Sequence, residues 1–231
     1  MQKLGSLLIL TVLCGYSFSN GKTNATVYAA GSTIVPAATI SSAAPGADSR
    51  PVIVCYGDSL TAGYGVDRNN SYPSVMQRDL DAGGFHYRVV NMGVSGDTTK
   101  DGLARIQRVL AARPEVVVVE FGGNDGLRGL PVRETQQNLE SMIAALKKSG
   151  TRVTIAGITL PPDYGPDYVG QFNAMFPTVA KKYAVPLLPF IYKDVYGVKG
   201  YIQDDGVHAT IEGNVQVAKN IEGLIKPLLK K

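Results

Sequence analysis

The chain of 231 residues contains no tryptophan, two cysteines and two histidines, and only 18% of its residues are charged. Each shortage removes a class of protein. Cys14 and Cys55 cannot form a disulfide scaffold. His86 and His208 lie far apart, and with so little cysteine they offer no metal-ligand spacing, so neither metal nor cofactor is expected. The net charge of +4 comes from scattered lysines and arginines, without a basic stripe or an aromatic platform, which excludes a nucleic-acid partner. The apolar run from Leu4 to Cys14 is too short to span a bilayer, so no stable membrane span is expected in the mature chain.

That run does fit an export signal. Lys3 precedes it, and Ser17 and Ser19 follow at the spacing a signal peptidase accepts, so residues 1–19 read as a cleaved signal and the protein as periplasmic or secreted. A retained anchor is the alternative. Leu13 is too bulky before Cys14 for a lipoprotein site, and removal of Cys14 leaves Cys55 alone as packing in an apolar strand. Residues 20–50, rich in Ala, Ser, Thr and Pro, hold too little apolar surface to offset ordering entropy and read as a flexible leader. The Asn24 and Asn69 sequons are short matches of the accidental kind. Residues 51–231 remain, enough for one domain with a sizeable core, expected to be monomeric.

Within that domain strand and helix patterns alternate. Val52 to Cys55, Tyr87 to Met92, Glu115 to Phe121, Thr151 to Gly157 and Val185 to Pro189 read as strands; Val52 to Cys55 and Val116 to Val119 are unbroken apolar runs, as strands buried on both faces require. Helices are expected at Ser71 to Ala82, after an Asp97 or Thr98 cap, at Pro131 to Ser149, near Gln171 to Tyr183, and from Ile211 to Leu229. Five short strands with helical crossovers imply an α/β fold, a three-layer α/β/α doubly wound five-stranded parallel sheet. In such a sheet ligands bind beyond the carboxyl ends of the strands.

The loops at that edge carry the chemistry. Gly57-Asp58-Ser59-Leu60 follows the first strand, where Asp58 and Ser59 could simply cap a helix or could present a nucleophile. The second strand is followed by Ser95-Gly96-Asp97-Thr98, the third by Gly122-Gly123-Asn124-Asp125, and the last helix is preceded by Gln203-Asp204-Asp205-Gly206-Val207-His208. A serine hydroxyl needs a neighbouring base; an imidazole, with an ordinary pKa of about 6.5, can take and return its proton, and a carboxylate can hold the ring in the right tautomer. Ser59, His208 and Asp205 are therefore the expected catalytic residues. The Ser59 N–H, the Gly96 N–H and the Asn124 amide are the expected oxyanion hole. Asp204 is read as solvated or capping, and Glu120 and Asp125 as structural, capping the loop or paired with Arg128.

These four blocks, in this order, resemble the signatures of the SGNH, or GDSL, hydrolases. Gly-Gly-Asn-Asp-Gly-Leu-Arg-Gly at 122–129 and Pro186-Leu187-Leu188-Pro189-Phe190 are similar to the bacterial thioesterase I/lysophospholipase branch, over about Pro51 to Leu229. The resemblance implies the flavodoxin-like SGNH fold, the same catalytic and oxyanion residues, and fatty acyl esters or thioesters as substrates. Ala209 departs from the branch, which often has proline after the histidine. The resemblance also implies that the segment 125–130 is a mobile apolar lip over an acyl groove, with Leu127 and Leu130 facing substrate. Leu160 and Pro161 belong either to a second wall or to an ordinary crossover loop. A carbohydrate acetylesterase and a non-catalytic exported binding protein on the same fold are the competing functions.

Overall fold

A computed structural model describes residues 48–231; the expected signal, nearly all of the leader and the Asn24 sequon lie outside the described residues. In chain order the elements are β1 (Val52–Gly57), α1 (Ser59–Ala62), α2 (Tyr72–Ala82), β2 (Arg88–Asn91), α3 (Thr99–Ala104), α4 (Ile106–Ala111), β3 (Val116–Glu120), α5 (Gly123–Leu127), α6 (Val132–Lys148), β4 (Arg152–Ala156), α7 (Pro166–Tyr183), β5 (Leu187–Leu188) and α8 (Ile211–Ile225). The strands form one parallel sheet in the order β2-β1-β3-β4-β5. From β1 the chain winds outward to β2, then returns across β1 to build β3, β4 and β5 on the other side. The carboxyl ends of β1 and β3 therefore flank a topological switch point, where connections leave in opposite directions and open a crevice.

Alternation along the strands explains why both faces are covered. Val52, Val54 and Tyr56 of β1 and Val117 and Val119 of β3 pack against α4, α6 and α7. Ile53, Cys55, Val116 and Val118 point to the opposite face, against α2 and α8. In α6 the stripe of Leu139, Met142, Ile143 and Leu146 is fully buried, and each such side chain contributes about 1.5–3 kcal/mol relative to exposure.

Three helices depart from the sequence reading in an instructive way, two of them because a tertiary contact overrides the local pattern. The helix after Thr98 is broken at Arg105 into α3 and α4: the Gly102 carbonyl accepts from the buried Tyr56 hydroxyl, and Arg105 turns its side chain toward the sheet edge. Its cap is Thr98, in a reciprocal box with Asp101, while Asp97 is free to bind elsewhere. Helix α7 begins at Pro166, earlier than Gln171, since the Gly165 turn (φ +85°) and proline at the first helical position start it. Ser71 stands at the start of α2, but its hydroxyl donates to the Arg68 carbonyl; the Tyr72 N–H is met by Asn214 Oδ1 from α8. Among the described residues no helix is long and apolar enough to cross a membrane.

Candidate active site

The first strand ends where side chains no longer fit. A Cβ on Gly57 would lie 2.5 Å from the Glu120 carbonyl oxygen and 2.2 Å from Thr61 Oγ1, so only glycine lets β1 run this close to β3. Asp58 then caps α1, its Oδ1 accepting from the Leu60 N–H at 3.0 Å. The capping reading thus holds for Asp58, and Ser59, the first residue of α1, has its hydroxyl directed into the crevice.

His208 reaches that hydroxyl across 149 residues of chain: Nε2 lies 2.9 Å from Ser59 Oγ, and Nδ1 lies 2.6 Å from Asp205 Oδ2. The carboxylate is held from both sides, since its Oδ1 accepts from the Val207 and His208 N–H groups at 2.9 and 3.0 Å. Desolvation alone would raise the Asp205 pKa, but the His208 N–H, the imidazole and the Val207 N–H outweigh it and bring it down to about 2. Asp204, the neighbouring carboxylate, is exposed. The loop is braced by Gln203, whose Nε2 donates to the Tyr64 and Ala209 carbonyls at 2.9 and 2.8 Å. Ala209 is buried in an antiparallel bridge to Ile202, and the Tyr64 ring stands 4.5 Å from the imidazole. His86 is exposed before β2.

Gly96 stands in a turn at φ +85° after β2, and Asn124 in α5 reaches Asp58, the residue before Ser59. The Asn124 amide does not point into open space: Nδ2 donates to Asp58 Oδ2 at 3.1 Å and to the Asp97 carbonyl at 3.0 Å. It is held in place by two acceptors with which any ligand oxygen would have to share it. Asp58 and Glu120 are both buried, and burial pushes each carboxyl upward, Asp58 to about 6 and Glu120 well above the ordinary range. Glu120 Oε2 accepts from Thr61 Oγ1 at 2.8 Å, and its Oε1 has no protein partner among the described residues.

Neither Glu120 nor Asp125 pairs with Arg128, contrary to one of the two sequence alternatives. Arg128 donates to the Gly96 carbonyl, while Asp125 is buried and accepts from the N–H and hydroxyl of Thr99 and from the Thr135 hydroxyl.

A raised carboxyl pKa has a definite sign in stability. Between the unfolded and the folded pKa of Glu120 the native state holds more protons than the unfolded chain, so stability falls as pH rises through that window. Glu120→Gln removes this loss, and its melting temperature should exceed that of the parent by more at pH 8 than at pH 5. Each pH unit in the window is worth about 1.4 kcal/mol, or about 3–6 °C for a domain of this size. Thermal melts of both proteins at the two pH values measure it; a gap that stays constant would contradict the buried-acid assignment.

A cavity of about 270 Å³ opens beside Ser59, with Leu60, Leu127, Ile158, Leu160, Pro161 and Phe190 among its lining. Leu127, Leu160 and Pro161, named as substrate-facing or wall candidates from the sequence, line this cavity. Leu130 lies outside the cavity, because the chain turns away after α5 in a turn closed from the Leu130 N–H to the Asp125 carbonyl, and its own carbonyl accepts from the Tyr168 hydroxyl. Tyr192, Tyr196 and Val207 also line the cavity and carried no signal in the sequence, since nothing local marks which residues of a long loop face a distant serine. Among the described residues no three His, Cys, Asp or Glu side chains cluster as a metal would require.

A doubly wound parallel sheet with serine, histidine and aspartate linked at its carboxyl edge is an arrangement suited to a serine hydrolase. The chain belongs to the GDSL-like Lipase/Acylhydrolase family, whose model matches residues 55–215. Among its relatives, esterase TesA of Pseudomonas aeruginosa is 40% identical over 77% of this chain and 89% of its own length. The thioesterase 1/protease 1/lysophospholipase L1 of Escherichia coli is 36% identical over 77% of this chain and 84% of its own. The fold matches a crystal structure of TesA with a TM-score of 0.74, covering 77% of this chain and 99% of that one at 40% identity. It also matches the psychrotrophic esterase EstA of Pseudoalteromonas, inhibited by monoethylphosphonate, with a TM-score of 0.73 at 28% identity, covering 77% of this chain and 97% of that one.

Proposed function

We propose that this protein is an exported esterase that hydrolyses fatty acyl esters and thioesters, among them lysophospholipids, acyl-CoA and aryl esters, through an acyl-enzyme on Ser59. The observation that carries the reading is the pair of contacts from His208, 2.9 Å to the Ser59 hydroxyl and 2.6 Å to Asp205, beside an apolar cavity. Export rests on the signal features of residues 1–19. The esterase, thioesterase and lysophospholipase names of the relatives support the substrate class, and the predominance of leucine, isoleucine, proline and aromatic side chains in the cavity favours an alkyl chain over a sugar.

The geometry supports the following chemistry. The imidazole keeps its hydrogen on Nδ1, donated to Asp205, which leaves the Nε2 lone pair to accept the Ser59 proton. Ser59 Oγ then bonds to the acyl carbonyl carbon, and the negative charge that develops on the carbonyl oxygen is met by the Ser59 and Gly96 N–H groups and Asn124 Nδ2. Collapse of the tetrahedral adduct expels the alkoxide or thiolate, which takes the proton from Nε2. Water gives a proton to Nε2 and attacks the acyl-enzyme; the fatty acid leaves and the proton returns to Ser59.

Labelling of the full chain with a fluorophosphonate probe tests this reading. Stoichiometric labelling is expected, abolished in Ser59→Ala, whose hydrolysis of p-nitrophenyl octanoate should fall by about 10⁶-fold. A folded protein that takes no label would remove the mechanism, and acetyl esters turned over far better than octanoyl esters would move the substrate to small acyl groups.

A further inference from the structure

Arg105 reaches from the break between α3 and α4 to three separate segments of the crevice. Its Nε donates to Asp97 Oδ2 at 2.6 Å, Nη1 to the Met92 carbonyl at 2.8 Å and Nη2 to the Gly57 carbonyl at 2.9 Å. The guanidinium lies 4.5 Å from the centre of the Tyr56 ring, and the Arg105 and Asp97 side chains are each only 15% exposed. A planar guanidinium presents donors in fixed divergent directions, so one side chain can bind three acceptors at once; an ammonium group at the end of a flexible stem cannot reproduce that fork.

Each acceptor belongs to a segment that carries part of the proposed site. Gly57 leads into Asp58 and Ser59, and Met92 opens the loop after β2. Asp97 follows Gly96, and its backbone works on both sides: its N–H donates to the Val94 carbonyl at 3.2 Å, closing the turn that holds Gly96 at φ +85°, and its carbonyl accepts from Asn124 Nδ2 at 3.0 Å. The Asp97 side chain is held by Arg105, which ties this backbone to the edge of the sheet.

We infer that Arg105, with Asp97 as its partner, is a positioning residue for the oxyanion hole: it aligns the Gly96 N–H and the Asn124 amide without touching substrate. The inference rests on the oxyanion role assigned to those two groups in the proposed function. Donors aimed at developing charge act in the transition state more than in the ground state, so losing their alignment lowers kcat and leaves KM nearly unchanged. A residue that merely supports folding would reduce the number of working sites and leave the turnover of each one intact.

The test compares the full chain with Arg105→Lys and Asp97→Asn, using p-nitrophenyl octanoate for kcat and KM and fluorophosphonate labelling carried to completion to count sites. For both variants kcat per labelled site should fall by about a hundred-fold, with KM within about twofold of the parent. Affinity for an octyl trifluoromethyl ketone, whose serine adduct places an oxyanion in the same pocket, should fall in step with kcat/KM. Unchanged turnover per labelled site in the folded variants, or a loss residing wholly in KM, would overturn the inference. If Arg105→Lys does not fold, Asp97→Asn, which keeps the side chain's size, decides by the same criteria. Parent protein that takes no label at Ser59 would overturn the proposed function and this inference together; parent that labels, with variants unaffected, overturns the positioning role alone.

Discussion

Replacing His208 with alanine is expected to lower kcat on an octanoyl ester by about 10⁶-fold, with little change in KM, because the ring is the only base within hydrogen-bonding reach of the Ser59 hydroxyl among the described residues. The hydroxyl is a weak nucleophile at neutral pH, and the nearest alternatives cannot replace the imidazole. Asp58 precedes Ser59 in sequence, but its two carboxylate oxygens are committed to the Leu60 N–H and to Asn124. Asp205 is held at low basicity, its pKa brought down to about 2. The imidazole is 17% exposed and belongs to neither core cluster, so His208→Ala should retain the parent's cooperative melt. Steady-state kinetics beside a thermal melt measure both quantities. A folded His208→Ala enzyme within about a hundred-fold of the parent would assign the proton transfer to another group.

Asn124→Ala should cost about 10²–10³-fold in kcat, equivalent to about 3–4 kcal/mol of transition-state stabilisation. Two consequences of the same truncation have to be separated. The first is the loss of the donor proposed for the oxyanion, which acts on kcat. The second is felt in the resting protein, since Asp58 Oδ2 and the Asp97 carbonyl each lose the N–H that meets them. A buried acceptor stripped of a partner costs about 1–3 kcal/mol, so the melting temperature should fall by several degrees. Kinetics taken well below the melting transition isolate the first effect. A kcat reduced less than about tenfold would mean that the two backbone N–H groups carry the oxyanion alone.

Both expectations depend on where the sheet reverses. Ser59 follows β1, Asn124 follows β3, and the order β2-β1-β3 makes these strands neighbours whose carboxyl ends open together. The two glycine-rich blocks serve that closeness. Gly57 cannot carry a Cβ beside the Glu120 carbonyl, and on Gly93 a Cβ would lie 2.2 Å from the Ala62 nitrogen, so the loop after β2 packs directly on α1. Gly126 makes a third close contact, since a Cβ there would meet Leu160 at 2.5 Å, joining the floor of α5 to the cavity wall.

Much of this arrangement is written locally. The unbroken apolar runs at Val52 and Val116 specify doubly buried strands because hydrophobic burial depends on composition and period alone, and the alternation with helices then restricts the sheet to a parallel one. Ser59, Gly96, Asn124, Asp205 and His208 can be named as candidates from sequence because each stands in a short block whose residue types are limited by turn geometry, and the contacts of His208 with Ser59 and Asp205 are what folding adds. What folding alone decided is everything that depends on partners distant in sequence. No spacing announces that Arg105 will bind Gly57, Met92 and Asp97, that Asp125 will turn to Thr99 and Thr135, or that Leu130 will miss the cavity while Tyr196 and Val207 enter it. Periodicity and motif are properties of neighbours along the chain, whereas a hydrogen bond or a cavity wall is set by packing between elements that the chain brings together only once the sheet has formed.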